Sequence, residues 1–129
     1  MLRLGGNDIL SLLYGCAKGD MTDCSLDANK MHKASACVVL TSKPYPGDPV
    51  KGEVITGIGE AEKHKNVTVL HAGTKLENDK VLSNGGRVLN VCATGDTLED
   101  AISSAYDAAF EISWPSMYMR RDIGFRVLK

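Results

Sequence analysis

The feature that most restricts the fold is a series of short apolar runs, rich in β-branched residues, that leads into one long amphipathic stretch. Strand-like runs cover residues 67–72 and 87–93. Between them, Lys75-Leu76 and Lys80-Val81-Leu82 flank Glu77-Asn78-Asp79, an arrangement typical of a β-hairpin. Residues 67–93 therefore predict three antiparallel strands joined by tight turns.

The amphipathic stretch that follows predicts the main helix. Asp96 can cap it, with Glu99 at the reciprocal position of a capping box, and Pro115 ends it. Its apolar face, at helical spacing, consists of Leu98, Ile102, Ala105, Ala109 and Ile112. The many alanines would let this helix lie close against a sheet.

The first half of the chain adds shorter elements. Residues 7–19 predict a helix that is capped by Asn7 and ends at Gly19, with Ile9, Leu10, Leu13, Cys16 and Ala17 on one apolar face. Residues 20–33 are polar and show no period. Strands are expected at 34–41 and 54–58, a fixed loop at 43–49, an exposed turn at 59–66, and a turn followed by a short strand or helix at 119–127. The predicted class is α+β, with a small, mostly antiparallel sheet or partial barrel packed by one main helix.

Composition limits the partners. A chain of 129 residues with 43% hydrophobic residues can bury one core, so a single core is expected. A net charge of −1 with scattered basic residues excludes a nucleic-acid-binding face. No run approaches the roughly 20 apolar residues that a membrane helix needs, and no signal peptide is visible. We expect a cytoplasmic protein that binds neither nucleic acid nor membrane.

The cysteines and histidines lack the spacing of a metal or redox motif. The chain contains 4 cysteines, and no two are close enough for CxxC. Cys37 and Cys92 each lie in an apolar run, where cysteine behaves as a small hydrophobe. We therefore expect reduced thiols and no structural metal.

Two cations form the first candidate site. Lys75 follows Ala72-Gly73-Thr74 at a probable strand end, and Arg87 follows Gly85-Gly86. If the hairpin closes, the two side chains would lie on neighbouring strands and could clamp one phosphate group. The alternative is that both are solvated surface cations that flank a hairpin.

Two further stretches are candidates. In Arg120-Arg121-Asp122-Ile123-Gly124, one arginine is expected to pair with Asp122 or another acid, and the stretch either contributes to a site or anchors the C-terminus. The loop Tyr45-Pro46-Gly47-Asp48, with Lys51-Gly52-Glu53, either touches a substrate or fixes two strands. The sequence contains no P-loop, no GxGxxG and no cluster suited to Mg²⁺. No catalytic residue or metal ligand is assigned.

Several of these stretches together resemble a known family. They are Tyr45-Pro46-Gly47, His71-Ala72-Gly73-Thr74-Lys75, Gly85-Gly86-Arg87-Val88-Leu89, Ala101 to Tyr106 and Arg120-Arg121-Asp122-Ile123-Gly124. Their order and spacing are similar to those of the C-terminal domain of glycinamide ribonucleotide synthetase (phosphoribosylamine–glycine ligase), of the ATP-grasp superfamily. The resemblance extends from about residue 3 to the end of the chain.

The resemblance implies an ATP-dependent ligase of purine biosynthesis. ATP phosphorylates the carboxylate of glycine, the amine of 5-phosphoribosylamine attacks the acyl phosphate, and Mg²⁺ or Mn²⁺ organises the phosphates. The family's metal-binding residues and most ATP contacts lie upstream of this chain. Residues 1–19 would then be a helix left from the ATP-grasp domain, and 20–129 the substrate-binding domain. The partner would be an ATP-grasp domain in cis or in trans, and the isolated chain would bind no cofactor and be inactive.

The resemblance also assigns residue roles. Lys75 and Arg87 match positions that meet a ribose 5-phosphate in related enzymes, and other residues that could face the site are Tyr45, Gly73, Thr74, Gly86, Arg121 and Asp122. Lys43-Pro44 and Pro49 depart from the family pattern and stiffen their loop. In several eukaryotes this ligase is fused to later enzymes of the pathway, as part of a multifunctional enzyme.

Two other functions are alternatives for this chain. One is a non-catalytic module that shares the fold and binds a small anion or a partner. The other, an enzyme using a cysteine, is poorly supported because no cysteine has a nearby base in the sequence.

Overall fold

The computed structural model describes residues 8–22, 24 and 34–128, which form three helices and six strands. In chain order these are α1 (Ile9–Lys18), β1 (Ala34–Ser42), α2 (Ile58–Ala61), β2 (Val67–His71), β3 (Thr74–Glu77), β4 (Lys80–Ser83), β5 (Arg87–Gly95), α3 (Leu98–Glu111) and β6 (Met117–Tyr118). The predicted α+β class, with antiparallel strands packed by one main helix, is confirmed.

The main sheet has four strands in the order β2-β5-β1-β6, and every neighbouring pair is antiparallel. In the central pair, Val38 lies opposite Val91 and Leu40 opposite Leu89. The register then shifts, so that Thr41 lies opposite Arg87, as expected when a β-bulge adds one residue to a strand. The sheet is open and does not close into a barrel.

The predicted hairpin is confirmed, but the predicted single run of three strands is wrong. β3 and β4 form a separate two-stranded sheet, and β2 pairs directly with β5. Asn78 and Asp79 make the turn with φ of 50° and 58°, the left-handed conformation that a two-residue hairpin loop needs. The sequence pattern marked each strand correctly, whereas the choice of neighbour depends on packing against the rest of the sheet.

The chain leaves the main sheet at Gly73 and returns to it after Gly85, and the backbones of these two glycines lie close together. The Gly73 amide donates to the Arg87 carbonyl over 2.9 Å, and the Asn84 amide donates to the Gly73 carbonyl over 2.7 Å. A Cβ on Gly73 would lie 2.6 Å from the Arg87 carbonyl oxygen. Gly73 and Gly85 are therefore needed for backbone packing, and not only for the close approach of a ligand.

α3 covers one face of the main sheet. Ala101, Ala105, Ala108 and Ala109 are fully buried, and they let the helix approach closely as predicted. The sheet contributes alternating residues that are almost fully buried, which are Val38, Leu40, Leu89 and Val91. The face that carries Cys37, Val39 and Asn90 points away from α3 because side chains alternate along a strand.

The predicted cap of α3 is wrong by one residue. The capping box is formed by Thr97 and Asp100, not by Asp96 and Glu99. The Thr97 hydroxyl accepts from the Asp100 amide, and the Asp100 carboxylate accepts from the Thr97 amide, each over 3.1 Å. A hydroxyl can accept one bond and donate another, and Thr97 also donates to Asp100 over 2.7 Å.

Three other local predictions need correction. Residues 54–58 form no strand, but only the isolated bridges Val54–Leu82 and Thr56–Ser113 before α2 begins. Residues 59–66, predicted as a turn, include most of α2. The tail at 119–127 contains turns and neither strand nor helix. The loop at 43–49 is irregular, as predicted.

α1 differs from its prediction in its exposure. Asp8 caps it, accepting from the amides of Leu10 and Ser11 over 3.0 and 3.3 Å, while the predicted cap Asn7 lies outside the described residues. Gly19 ends the helix in the left-handed conformation, as predicted. The predicted apolar face is not buried, since Leu10 is 73% and Leu13 60% exposed. None of the described helices is both long enough and apolar enough to span a bilayer.

Candidate functional site

Arg87 lies in a cleft at the end of the main sheet. Two adjoining hollows, of about 580 and 700 Å³, share Val39, Tyr45 and Arg87 in their walls. The first is also lined by Thr41, Tyr118, Met119, Arg120 and Ile123, and the second by Ala72, Gly73, Gly86 and Asn90. A third hollow, of about 520 Å³, shares Tyr118, Met119 and Arg120 and adds Arg121 and Asp122. We call this whole surface the Arg87 cleft.

The guanidinium of Arg87 gives the cleft a cationic group. Arg87 is exposed and begins β5, where its carbonyl is fixed by the Gly73 amide. Its side chain makes no hydrogen bond or ion pair with another of the residues at 8–22, 24 and 34–128. Five N–H donors in a planar fork are therefore available to an anion.

The ring of Tyr45 lies in the cleft because backbone hydrogen bonds hold its loop and because Gly86 has no side chain. The Ser42 amide donates to the Gly86 carbonyl over 3.0 Å, and the Val50 amide closes the loop onto the Lys43 carbonyl over 3.0 Å. A Cβ on Gly86 would lie 2.9 Å from Cδ2 of Tyr45. The loop thus both fixes strands and presents an aromatic ring beside Arg87.

Lys75 does not stand beside Arg87 as the sequence suggested. The predicted position on neighbouring strands is wrong, because β3 pairs with β4 in the small sheet while Arg87 belongs to the main sheet. Lys75 lines none of the three hollows. Its ammonium lies 2.6 Å from the Glu77 carboxylate, and this bond lowers the pKa of Glu77.

Thr74 also lies outside the cleft lining. Its hydroxyl oxygen lies 2.9 Å from Nδ1 of His71, at hydrogen-bond distance, so the two side chains bracket the turn between β2 and β3. The structure therefore brings Tyr45, Gly73, Gly86 and Arg87 together, and it adds Arg121 and Asp122 at the far end.

The stretch at 120–124 is anchored on α3 and also lines the cleft. Nε and Nη2 of Arg120 donate to the two carboxylate oxygens of Asp122 over 2.8 and 2.7 Å, which confirms the predicted pairing. This pairing raises the pKa of Arg120 and lowers that of Asp122. The Tyr106 hydroxyl donates to the Arg120 carbonyl over 2.8 Å and accepts from the Ile123 amide over 3.1 Å.

Arg121 is held differently from Arg120. Its guanidinium carbon lies 5.7 Å from the centre of the Phe110 ring, within the range of a cation–π contact. Of the two adjacent arginines, one is thus neutralised by a carboxylate and the other rests on an aromatic face. Because an aromatic ring does not cancel the charge, Arg121 leaves the far end of the cleft cationic.

Sequence reasoning missed five residues of the lining, which are Val39, Thr41, Asn90, Tyr118 and Met119. A signal was available for Asn90, the one polar residue in the apolar run Val88-Leu89-Asn90-Val91-Cys92-Ala93. It lies opposite Val39 on the face of the sheet away from α3. Tyr118 gave no comparable signal, because β6 contains only two residues.

The described residues contain no group of three or more histidine, cysteine, aspartate or glutamate side chains that could hold a metal ion. The charged groups that line the Arg87 cleft are three arginines and one aspartate. This donor set suits an anionic ligand better than a cation.

The fold and the cleft define an α+β domain whose open antiparallel sheet is covered by one helix and ends in a cationic cleft. Residues 35–126 match the family model described as "Phosphoribosylglycinamide synthetase, C domain". The chain belongs to this family, which confirms the resemblance seen in the sequence motifs.

Similar proteins are longer ligases. The chain is 41% identical over 131 residues to the chloroplastic phosphoribosylamine–glycine ligase of Arabidopsis thaliana, covering 100% of this chain and 24% of that protein. The ligase of Synechocystis sp. is 41% identical over 129 residues, with coverages of 99% and 30%. The crystal structure of the Thermotoga maritima ligase superposes with a TM-score of 0.71 at 27% identity, covering 88% of this chain and 27% of that one. The chain thus spans less than a third of these relatives.

Proposed function

We propose that this chain is the C-terminal domain of a phosphoribosylamine–glycine ligase and forms the sugar-phosphate side of its active site. The whole ligase joins glycine to 5-phosphoribosylamine with ATP, giving glycinamide ribonucleotide, ADP and phosphate. Family membership supports the reaction. The guanidinium of Arg87 lies in an open cleft and has no hydrogen-bond or ion-pair partner among the described residues, which supports the role of this domain.

The cleft residues have complementary tasks in this proposal. Arg87 donates two parallel hydrogen bonds to the 5-phosphate, which its planar fork allows. The amide of Asn90, at the same end of the cleft, is suited to a ribose hydroxyl. The ring of Tyr45 limits access of water to the phosphate. These groups bind and orient the sugar, so that its amine is held for attack on the acyl phosphate of glycine.

The other parts of the reaction lie outside this chain in our proposal. ATP and Mg²⁺ or Mn²⁺ supply the phosphoryl group and neutralise its charge, and an ATP-grasp domain, in cis or in trans, would hold them. We place the ligase in the cytoplasm, although the Arabidopsis relative is named as chloroplastic. The isolated chain is expected to be inactive, because it spans only 24 to 30% of the full-length ligases.

A chimaeric ligase tests the role of Arg87. This chain replaces the matching segment of the Synechocystis ligase, and product formation is measured at varied phosphoribosylamine concentrations. Arg87→Ala should raise the KM for phosphoribosylamine about 10- to 100-fold, the loss expected when a charged hydrogen-bond donor is removed. Arg87→Lys should be intermediate, since it keeps the charge and loses the fork.

Two matched substitutions serve as controls. Arg126→Ala removes a guanidinium that lies over the Phe125 ring and outside the cleft lining, so KM should stay within about twofold. Lys75→Ala should change KM less than about fivefold, because Lys75 is held by Glu77. Equal KM values for Arg87→Ala and Arg126→Ala would contradict the phosphate role. Turnover by the isolated chain would contradict its expected inactivity.

A further inference from the structure

Two cysteines that are distant in sequence face each other on the side of the sheet away from α3. Cys37 of β1 and Cys92 of β5 are direct partners in the antiparallel register. Their sulfur atoms lie 3.1 Å apart, within hydrogen-bond distance. The next pair on the same face, Val39 and Asn90, lines the Arg87 cleft.

The backbone geometry of the pair suits a covalent link. Opposite residues of antiparallel strands have Cα atoms about 4.5 to 5.5 Å apart, and disulfides span about 4.4 to 6.8 Å between Cα atoms. Rotation of the two side chains can therefore close the remaining gap between the sulfur atoms without moving either strand. No rearrangement of the core is needed, because both side chains lie on the face away from α3.

The two thiols differ in access. Cys37 is exposed, whereas Cys92 is only 7% exposed and lies between Cys37 on β1 and Thr68 on β2. A reagent from solution therefore reaches Cys37 first. Cys92, which lies beside Cys37, is then positioned to attack the modified Cys37 sulfur.

We propose that Cys37 and Cys92 form a dithiol modification site that takes a small disulfide, such as glutathione disulfide, and closes into a cross-strand disulfide. The thiolate of Cys37 attacks the reagent, forms a mixed disulfide and releases one small thiol. The thiolate of Cys92 then attacks the Cys37 sulfur and releases the second small thiol. Two protein thiols lose two electrons and two protons, and one small disulfide becomes two small thiols.

The surroundings of the pair set its reactivity. Although Cys37 is exposed as a residue, partial desolvation of its sulfur, and then the hydrogen bond with Cys92, raises the pKa of Cys37 to about 12. Among the described residues, those that flank the pair on this face carry no charge, and Cys92 is the titratable group that faces Cys37. The flanking residues are Ser35, Val39, Thr68, Leu70, Asn90 and Thr94. Because the thiolate is the reactive form, the step is slow at neutral pH and faster as pH rises.

The test follows the thiols by mass spectrometry. The purified 129-residue chain is reduced, desalted, exposed to glutathione disulfide, alkylated and digested. We expect a Cys37–Cys92 linked peptide and the loss of two alkylatable thiols. Cys92→Ser should instead accumulate a glutathione adduct on Cys37, and Cys37→Ser should lose the link. Cys16→Ser and Cys24→Ser, which remove the other two thiols, should retain it.

A second probe needs no variant. Phenylarsine oxide binds two adjacent thiols through one arsenic and releases water. The native wild-type chain should therefore gain one phenylarsine and lose alkylation at both Cys37 and Cys92. The proposal is overturned if wild type keeps a glutathione adduct on Cys37 beside a free Cys92. It is also overturned if the linked peptide or the arsenic adduct involves Cys16 or Cys24 in place of this pair.

Discussion

At the scale of single residues, Gly57 and Gly52 share a backbone conformation but differ in their surroundings. Both have a left-handed φ, of 84° and 82°. A Cβ on Gly57 would lie 1.8 Å from the Glu111 carbonyl oxygen, whereas Gly52 has nothing within 4 Å. A side chain at Gly52 would therefore cost only backbone strain, whereas one at Gly57 would cost backbone strain and a steric clash.

Alanine substitutions at the two glycines should differ clearly. Gly52→Ala should lower the free energy of unfolding by about 1 to 2 kcal/mol through backbone strain alone. Gly57→Ala adds a clash with backbone that cannot move cheaply, so we expect about 3 kcal/mol or more. Urea unfolding of both variants measures the difference. Equal losses would show that the α2–α3 junction can shift to accept a methyl group.

At the scale of elements, the start of α3 depends on two reciprocal hydrogen bonds between Thr97 and Asp100. Thr97→Ala removes the hydroxyl that accepts from the Asp100 amide, and should cost about 1 kcal/mol of stability. Ser103→Ala on the exposed side of the same helix should be close to neutral. Thermal unfolding of the two variants compares them. A Thr97→Ala variant as stable as Ser103→Ala would mean that water replaces the cap without loss.

The sequence predicted elements well where backbone preference is local. The β3–β4 turn needs two residues that tolerate positive φ, and Asn78-Asp79 supplies them. Gly19 ends α1 for the same reason. The prediction failed at 54–58, where an apolar run meets its partners only at single bridges, because strand formation needs a neighbour of matching length.

At the scale of the whole molecule, the core lies in the second part of the chain. The buried hydrophobic cluster among the described residues extends from Ala36 to Met119 and includes no residue of α1. On α1, Leu10, Leu13 and Tyr14 are exposed by 73, 60 and 64%. The predicted domain boundary, with residues 1–19 separate from residues 20–129, stays a prediction. The burial pattern makes it testable by deletion of residues 1–19.

Deletion of residues 1–19 should leave the folded domain nearly as stable as the whole chain. The expected loss is below about 1 kcal/mol, because little apolar area of α1 leaves water on folding. Leu40→Ala, at a fully buried position, should by contrast cost about 2 to 5 kcal/mol. Denaturant unfolding compares the two. A deletion as damaging as Leu40→Ala would place α1 within the cooperative unit.

The sequence alone determined where most strands and helices form, which glycines end or turn them, and which family the motifs belong to. These properties follow from side-chain periodicity and local backbone preference, which act over a few residues. The sequence also identified part of the cleft, because Tyr45, Gly73, Gly86 and Arg87 belong to family motifs.

Only the tertiary structure decided which strands became neighbours. That choice placed Lys75 in the small sheet, away from the lining that contains Arg87, and brought Cys37 to Cys92 across 55 residues. It also turned Asn90 toward the cleft. The physical reason is that strand pairing is selected by how much apolar surface the whole sheet buries against α3, and residues far apart in the chain contribute to that burial together.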